Sequence, residues 1–319
     1  MILGGNEMDL KDIKNITIFG PGMMGSGIAQ VFASCEDLVV TIFIREKFEY
    51  EGLEKIKENL KVLREKNIVT DKDIQGIFNR IKTTEDFEEA VKDADFIIEC
   101  IPENMKLKQD LFVNIEKYCK ETAILASNTS VMSITEIFSK ISKRERAVGT
   151  HFWNPPYLIP LVEVIKSDYT SDEVFDITYE LLKKADKKPV KVNKDVPGFL
   201  ANRLQHALWR EAISIVENGI VDAKTVDEAV KYGFGLRLPV LGPMENADMV
   251  GLDLTYSIHD YILKSLESSK EPSRLLKEKF ESGALGFKTG YGFQEWSQEQ
   301  IKDSNNNLRE YLINVLYKK

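Results

Sequence analysis

A glycine-rich stretch near the N-terminus constrains the fold more tightly than any other feature of the sequence. In ITIFGPGMMGSGIAQVFA, three glycines follow the spacing G-x-G-x-x-G, directly after a strand-like apolar run and at the start of a helix-like run. In this context Gly20 permits a tight turn, Gly22 lets the backbone approach a ligand, and Gly25 lets the helix pack closely on the strand. The stretch predicts a strand–turn–helix unit, although an ordinary glycine-rich turn has the same spacing.

The start of the predicted helix has the chemistry of an anion site. Its first N–H groups have no partner within the helix, and they carry the positive end of the helix dipole. The pyrophosphate of a dinucleotide is the group that a glycine turn of this spacing binds. We therefore predict a dinucleotide-binding site formed by Gly20, Gly22, Met24 and Gly25.

Short apolar runs alternate with helical patterns over the first part of the chain. Most of the runs are continuously apolar, which is typical of strands that helices cover on both faces. The alternation predicts a Rossmann-type, doubly wound α/β domain with a mostly parallel sheet. The predicted strands are 15–20, 39–44, 94–100, 123–128, 147–152, 161–165 and 188–193, and the predicted helices are 26–34, 48–66, 106–120, 134–141 and 172–185.

The pattern becomes wholly helical after about Asp195. We therefore predict two domains: residues 1–194 bind NAD(P), and residues 195–319 form an all-α substrate and dimerisation domain with a C-terminal tail helix. The stretch FLANRLQHALWREAISIV is apolar on more than one face, which predicts a homodimer formed through the helical domain. The helices are expected at 198–218, 225–232, 245–266, 273–281 and 298–317.

Composition excludes several classes of partner. The net charge is −8 and no basic patch stands out, so neither nucleic acid nor an anionic membrane is an expected partner. Cys35, Cys100 and Cys119 lie far apart without a C-x-x-C, which argues against a disulfide scaffold or a structural zinc. With no signal-peptide pattern and no run long enough to span a bilayer, the expected location is cytoplasmic, and no metal is expected.

The end of the second predicted strand bears on which nicotinamide dinucleotide is bound. An acid about twenty residues beyond the glycines usually accepts the ribose hydroxyls, but Phe43 and Ile44 occupy that position. Arg45 follows, and Glu46 is the first acid. Arg45 could meet the 2′-phosphate of NADP, or it could stack on the adenine while Glu46 reaches the ribose. We expect NAD, with NADP as the alternative.

One histidine stands out in THFWNPPYLIPLVEVI. The chain has three histidines, and His151 ends one apolar run twelve positions before Glu163, which lies inside the next run. A carboxylate inside an apolar strand is costly to bury without a partner, so Glu163 is expected to pair with His151. A purely structural histidine is the alternative interpretation. His206 and His259 lie in helical segments without a comparable partner.

Several motifs occur in one order along the chain. After the glycines come S-N-T-S ending at Ser130, H-F-x-N-P from His151, V-E-V-I around Glu163, P-G-F-x-x-N-R around Asn202, and FKTGYGF near the end. From about residue 15 to residue 296 this order resembles the 3-hydroxyacyl-CoA dehydrogenase family.

The resemblance implies roles for individual residues. His151 matches the general base, Glu163 the carboxylate that orients it, and Ser130 and Asn202 the polar groups that hold the substrate oxygen. The positions that match the cofactor side of the family's site are Glu103, Lys108, Asn154 and Lys288.

The substrate is less specified than the reaction. The resemblance implies reversible NAD(P)-dependent oxidation of (S)-3-hydroxyacyl-CoA to 3-ketoacyl-CoA, and D-x-x-G-L-D at 248–253 supports a CoA substrate. However, LRLPVLGP replaces the usual H-P-M-G-P-L-type stretch and looks like relatives that oxidise free hydroxy acids such as carnitine, gulonate or pyridine carboxylates. Dehydrogenation of a free hydroxy acid is therefore the alternative. A non-catalytic nucleotide-binding or structural protein is a third possibility, which the His–Glu pair disfavours.

Overall fold

The computed structural model describes residues 9–44 and 49–317. The chain divides into two compact units, which are described separately below. The first runs to Asn202 and includes the segment from Leu312 onward, and the second comprises Arg203–Tyr311. The sequence predicts a boundary near Asp195 and assigns the whole tail to the helical part, whereas the structure divides later and returns the end of the last helix to the first unit.

The first unit is built on one sheet, with eight strands within the described residues in the order β3-β2-β1-β4-β5-β6-β7-β8. Every neighbouring pair is parallel except β6 and β7, which are antiparallel. The predicted Rossmann-type, mostly parallel sheet is thus confirmed. The strands are β1 Asn15–Phe19, β2 Val39–Phe43, β3 Ile81–Thr84, β4 Phe96–Glu99, β5 Ile124–Ser127, β6 Ala147–Phe152, β7 Leu161–Ile165 and β8 Lys188–Val192.

The sheet separates two apolar cores, because successive side chains of each strand point to opposite faces. On β4, Phe96 and Ile98 belong to one cluster, while Ile97 belongs to the cluster on the other face of the sheet. Both faces of the central strands are therefore covered, which explains their continuously apolar sequence. The helices that cover them are α1 Met23–Ala33, α2 Glu49–Glu65, α3 Asp71–Asn79, α4 Phe87–Lys92, α5 Met105–Tyr118, α6 Ile134–Ile137 and α7 Asp172–Lys184.

Three elements of this unit are absent from the sequence prediction. Strand β3 is short and only partly buried, so its sequence lacks the continuous apolar run that marks its neighbours as strands. Helices α3 and α4 carry a different signal at their first residues. The side chain of Thr70 caps α3 in a reciprocal pair with Asp73, and Asp86 caps α4. These capping residues are the sequence signal that marks the start of both helices.

The second unit is helical, which confirms the all-α prediction for this part of the chain. The predicted helix 245–266 is interrupted, because Gly251 has a φ of +100° that no continuous helix contains. Among the described residues, no helix is long and apolar enough to cross a membrane. The helices from here onward are α8 Ala201–Glu217, α9 Ala223–Tyr232, α10 Pro243–Val250, α11 Leu252–Ile262, α12 Arg274–Glu281 and α13 Gln298–Tyr317.

The end of α13 is anchored in the first unit. Ile313 is 1 % exposed and packs in a cluster with Leu63 of α2 and Leu158 of the loop between β6 and β7. Leu312 and Leu316 pack against the same cluster. The tail helix predicted from the sequence is therefore present, and its last turns are held by apolar contacts.

Shortening Ile313 should test this anchor. We expect Ile313→Ala to lower the free energy of unfolding by about 2–5 kcal/mol, because the truncation leaves a cavity in a filled cluster. Val315→Ala on the same helix is the control, since Val315 is 57 % exposed, and its effect should stay within about 0.5 kcal/mol. Denaturant unfolding measures both. Equal losses in the two variants would contradict the anchor.

Candidate active site

The turn after β1 requires glycine at two of its three motif positions. Gly20 has a φ of +96°, and a Cβ there would lie 2.6 Å from the carbonyl oxygen of Cys100. A Cβ on Gly25 would lie 2.0 Å from the carbonyl oxygen of Gly20. Both contacts are backbone contacts that no side-chain rotation relieves, so these glycines allow the close approach of turn, helix and sheet.

Gly22 differs because the space around it is open. A Cβ built on Gly22 would meet nothing within 4 Å, and Gly22 caps α1 without a side-chain hydrogen bond. The first turn of the helix is therefore accessible to a ligand, and the cradle fits a pyrophosphate whose oxygens accept from the backbone amides. Met24 lies in this turn and packs partly against the core. The four predicted residues of the turn thus lie together.

The end of β2 is apolar in the structure. Phe43 packs on Phe19 with ring centroids 5.0 Å apart, and Ile44 is buried. Arg45 and Glu46, on which the choice between NAD and NADP depends in the sequence, lie outside the described residues.

A buried ion pair holds the loop that follows β5. Lys108 is almost fully buried, and its Nζ lies 2.6 Å from Glu99 Oε1 and 3.3 Å from Glu103 Oε2. Glu103 in turn accepts from the amide of Ser130 at 2.7 Å and from the hydroxyl of Thr129. The ammonium of Lys108 is thus enclosed between the carboxylates of Glu99 and Glu103. Glu99 was missed in the sequence, although it is an acid at the end of an otherwise apolar strand.

His151 and Glu163 are direct partners across the antiparallel pair β6 and β7. Their side chains lie on the same face of the sheet, and His151 Nδ1 is 2.7 Å from Glu163 Oε2. Both residues are buried, with Glu163 fully so. The spacing of twelve positions in the sequence therefore includes the loop 153–160, which returns the chain to the same level of the sheet.

Glu163 accepts from three further donors. The indole Nε1 of Trp153 donates to Oε2 at 3.2 Å, and the amides of Leu200 and Ala201 donate to Oε1 at 2.8 and 3.0 Å. Burial alone would raise the pKa of Glu163, but the hydrogen bonds from His151 and the two amides outweigh it and hold the pKa below its usual value. The carboxylate is therefore ionised at neutral pH and able to stabilise a protonated imidazole.

Asn202 and Ser130 lie beside this pair. Asn202 follows Ala201 directly, and its Nδ2 donates to the carbonyl oxygen of Ser130 at 3.0 Å. Asn128, which the sequence prediction missed, accepts from the amide of Phe152 at 2.8 Å and so ties the same loop to the histidine strand. The four predicted catalytic residues, His151, Glu163, Ser130 and Asn202, are thus linked within the first unit.

The other predicted residues lie on exposed segments. Asn154 is exposed in the loop between β6 and β7, and Lys288 is exposed in the second unit. The loop itself is held by Lys187, whose buried ammonium donates to the carbonyls of Pro156 and Ile159. Burial lowers the pKa of Lys187 to about 8. A lysine just before a strand carries no signal in the sequence that would reveal this role.

The site and the fold agree with a known family. The model described as "3-hydroxyacyl-CoA dehydrogenase, NAD binding domain" matches residues 15–196, and "3-hydroxyacyl-CoA dehydrogenase, C-terminal domain" matches residues 198–296. The chain belongs to this family and is an NAD-dependent dehydrogenase. The family resemblance, the enzyme class and NAD as the cofactor, all predicted from the sequence, are confirmed.

Its relatives include enzymes named for different substrates. A probable 3-hydroxybutyryl-CoA dehydrogenase of Bacillus subtilis is 37 % identical over 90 % of this chain and 99 % of its own. The solved structure of 5-formyl-3-hydroxy-2-methylpyridine 4-carboxylic acid 5-dehydrogenase is 33 % identical, with a TM-score of 0.88 over 95 % of this chain and 97 % of its own. That of (S)-3-hydroxybutyryl-CoA dehydrogenase from Ralstonia eutropha is also 33 % identical, with a TM-score of 0.76 over 90 % of this chain and 100 % of its own.

Two glycine substitutions should separate cofactor binding from folding. Gly22→Ala places a methyl group in open space, so we expect an unchanged melting temperature but at least about tenfold weaker NADH binding, because the methyl blocks the approach of the pyrophosphate. Gly25→Ala should lower both the melting temperature and the affinity for NADH, because its methyl group collides with the carbonyl oxygen of Gly20. Fluorescence titration with NADH and thermal unfolding measure the two effects. Normal NADH affinity in Gly22→Ala would contradict the assigned cradle.

Proposed function

We propose that the protein oxidises the hydroxyl-bearing carbon of its substrate, with His151 as the general base and Glu163 as its orienting partner. The observation that carries the proposal is the buried hydrogen bond between the two side chains. When bound, NAD supplies the acceptor for the hydride that leaves this carbon.

The geometry supports one protonation state of the imidazole. Because Glu163 is ionised and faces Nδ1, Nδ1 carries a proton and Nε2 has a free lone pair. Nε2 can then take the proton of the substrate hydroxyl, and the carboxylate stabilises the imidazolium that forms. A non-catalytic binding protein would gain nothing from burying such a pair.

Ser130 and Asn202 are proposed to hold the substrate oxygen. Asn202 is 9 % exposed and joins Ser130 to the segment that binds Glu163. Polar groups in this position stabilise the charge that develops on oxygen as its proton leaves. On the cofactor side we propose Gly20, Gly22, Met24 and Gly25 for the pyrophosphate, with further contacts from Glu103, Asn154, Lys288 and Arg45, and with Lys108 acting through Glu103.

We propose a 3-hydroxyacyl-CoA as the substrate, converted reversibly to the 3-ketoacyl-CoA. The supporting observations are the match to both domains of the family and the 3-hydroxybutyryl-CoA dehydrogenase relatives, which are covered over nearly their whole length. A second candidate is a free hydroxy acid of the pyridine-carboxylate kind. It is favoured by the higher TM-score with the pyridine-carboxylate dehydrogenase, which extends over 95 % of this chain.

The two candidates predict different activities. If the substrate is an acyl-CoA, acetoacetyl-CoA should be reduced at the expense of NADH, with NADPH assayed in parallel. If it is a free hydroxy acid, acetoacetyl-CoA should give no turnover while NADH binds normally, and a hydroxymethyl-pyridine carboxylate should be oxidised with NAD. Initial rates at a fixed protein concentration decide between them.

Replacing the proposed base should reduce the rate without weakening cofactor binding. We expect His151→Gln to lower kcat by about 10²–10⁴-fold, the usual contribution of a positioned base, while NADH affinity is retained. Glu163→Gln should lower kcat more than it raises KM. His206→Gln is the matched control, because His206 lies in α8 against the partly exposed Trp209. A His151→Gln variant that keeps most of its kcat would disprove the assignment.

We also propose that the protein is a homodimer formed through its helical unit. Within the described part of the chain, helices α9, α10, α11 and α12 contain no buried residue. Large apolar side chains are exposed on these helices. Such side chains normally form the core of a helical unit, so their exposure indicates a surface that a partner covers. A second copy of the chain, meeting the same surface symmetrically, would bury them. The most exposed in this unit are Tyr261, Val240, Tyr232, Tyr256, Met244 and Phe280, at 84, 81, 77, 76, 73 and 71 %.

Sedimentation equilibrium tests this assembly. At micromolar concentration we expect a mass about twice that of the 36.4 kDa chain. Tyr261→Glu should shift the equilibrium toward the monomer, whereas Leu107→Glu, on the exposed face of α5 in the first unit, should not. A wild-type protein with only the 36.4 kDa species would refute the proposal. The cytoplasmic location expected from the sequence stays a prediction.

A further inference from the structure

One oxygen of Glu163 receives two side-chain donors. His151 Nδ1 lies 2.7 Å from Oε2, and the indole Nε1 of Trp153 lies 3.2 Å from the same atom. The two rings are adjacent, with centroids 5.4 Å apart. The other carboxylate oxygen is occupied by backbone amides of Leu200 and Ala201. The indole therefore competes with the imidazole for the charge on a single atom.

The competition has a definite sign. A hydrogen bond from the neutral indole stabilises the carboxylate whether or not the imidazole is protonated. It draws negative charge away from the contact with Nδ1, so the carboxylate holds an imidazolium less strongly than it would alone. Taking the indole N–H away should therefore make His151 a stronger base.

Resting on the function proposed above, we propose that Trp153 is a positioning residue. It acts through Glu163 to weaken the hold of the His151 imidazolium on its Nε2 proton. In the direction of hydroxyl oxidation, Nε2 of His151 must be unprotonated before it can take the proton of the substrate. The indole would thereby extend catalysis toward lower pH. In the reverse direction it would make the imidazolium a stronger acid toward the substrate carbonyl.

The charged groups around the His151–Glu163 pair are not altered by a substitution of Trp153. Glu163 faces His151 from β7. On the side of β5, Glu103 binds the backbone of Ser130 and is itself paired with Lys108. From the segment before α8, Phe199 packs against the imidazole, and the neutral Asn202 follows. A substitution of Trp153 that keeps an aromatic ring changes none of these charges.

The direct test is a titration of the histidines by NMR in wild type and in Trp153→Phe. The chain has three histidines, and His151→Gln assigns the resonance of interest. We expect the midpoint of His151 in Trp153→Phe to rise by about 0.5–1 pH unit, which corresponds to a part of one charge-assisted hydrogen bond. Trp209→Phe is the matched control, because Trp209 contacts His206 and should leave His151 unchanged. A His151 midpoint that stays the same or falls in Trp153→Phe overturns the proposal.

The pH dependence of kcat/KM is a second test, because a merely structural role of Trp153 would not shift it. The acid limb of kcat/KM reports the proton on the His151–Glu163 pair. In Trp153→Phe it should shift to higher pH by the same amount, while kcat on the plateau changes little. A lower plateau with an unmoved limb would instead assign Trp153 to packing only. The NMR titration needs no substrate, so it stands even if the proposed substrates fail.

A measurement on the wild-type protein covers the case in which the variant does not fold. The three tryptophans each have one indole N–H resonance. Because Trp153 and His151 share one oxygen, the Trp153 resonance should shift with the same midpoint as His151. An indole resonance that ignores the titration of His151 would overturn the proposal independently.

Discussion

The buried carboxylate of Glu163 is the interaction on which the rest of the site depends. An ionised group without contact with solvent is tolerated only when its oxygens are fully hydrogen-bonded. Here the donors come from strand β6, from the loop after it and from the residues that begin α8. Satisfying one charge therefore links three segments of the chain. The imidazole that we propose as the base is one of them.

The parallel part of the sheet brings the remaining groups to the same edge. Phe19, Glu99, Ser127 and Gly149 are partners in register across β1, β4, β5 and β6. At or just beyond these positions lie, in turn, the glycine turn, Glu99 with its partner Lys108, the loop with Ser130, and His151. Because the carboxyl ends of parallel strands lie at one edge, four distant stretches of sequence become neighbours there.

Most of the fold could be predicted from the sequence, for a physical reason. Strands covered on both faces are mostly apolar, and the glycine turn needs residues without a Cβ, so both leave a pattern that depends only on local sequence. The elements that were missed lack such a pattern. β3 is half-exposed, and α3 and α4 are marked by capping residues rather than by apolar periodicity. The break at Gly251 was missed because an isolated glycine is often tolerated within a helix.

The sequence by itself determined the apolar strands of the sheet, the glycine turn and the pairing of His151 with Glu163, because each rests on a residue type that its surroundings demand. Tertiary structure decided which atoms meet. The antiparallel register of β6 and β7 places Glu163 opposite His151, and the loop between the strands brings the indole of Trp153 to the same oxygen. Tertiary packing also encloses Lys108 and anchors Ile313. These contacts join residues far apart in sequence, and their geometry follows from register and packing, which local patterns do not specify.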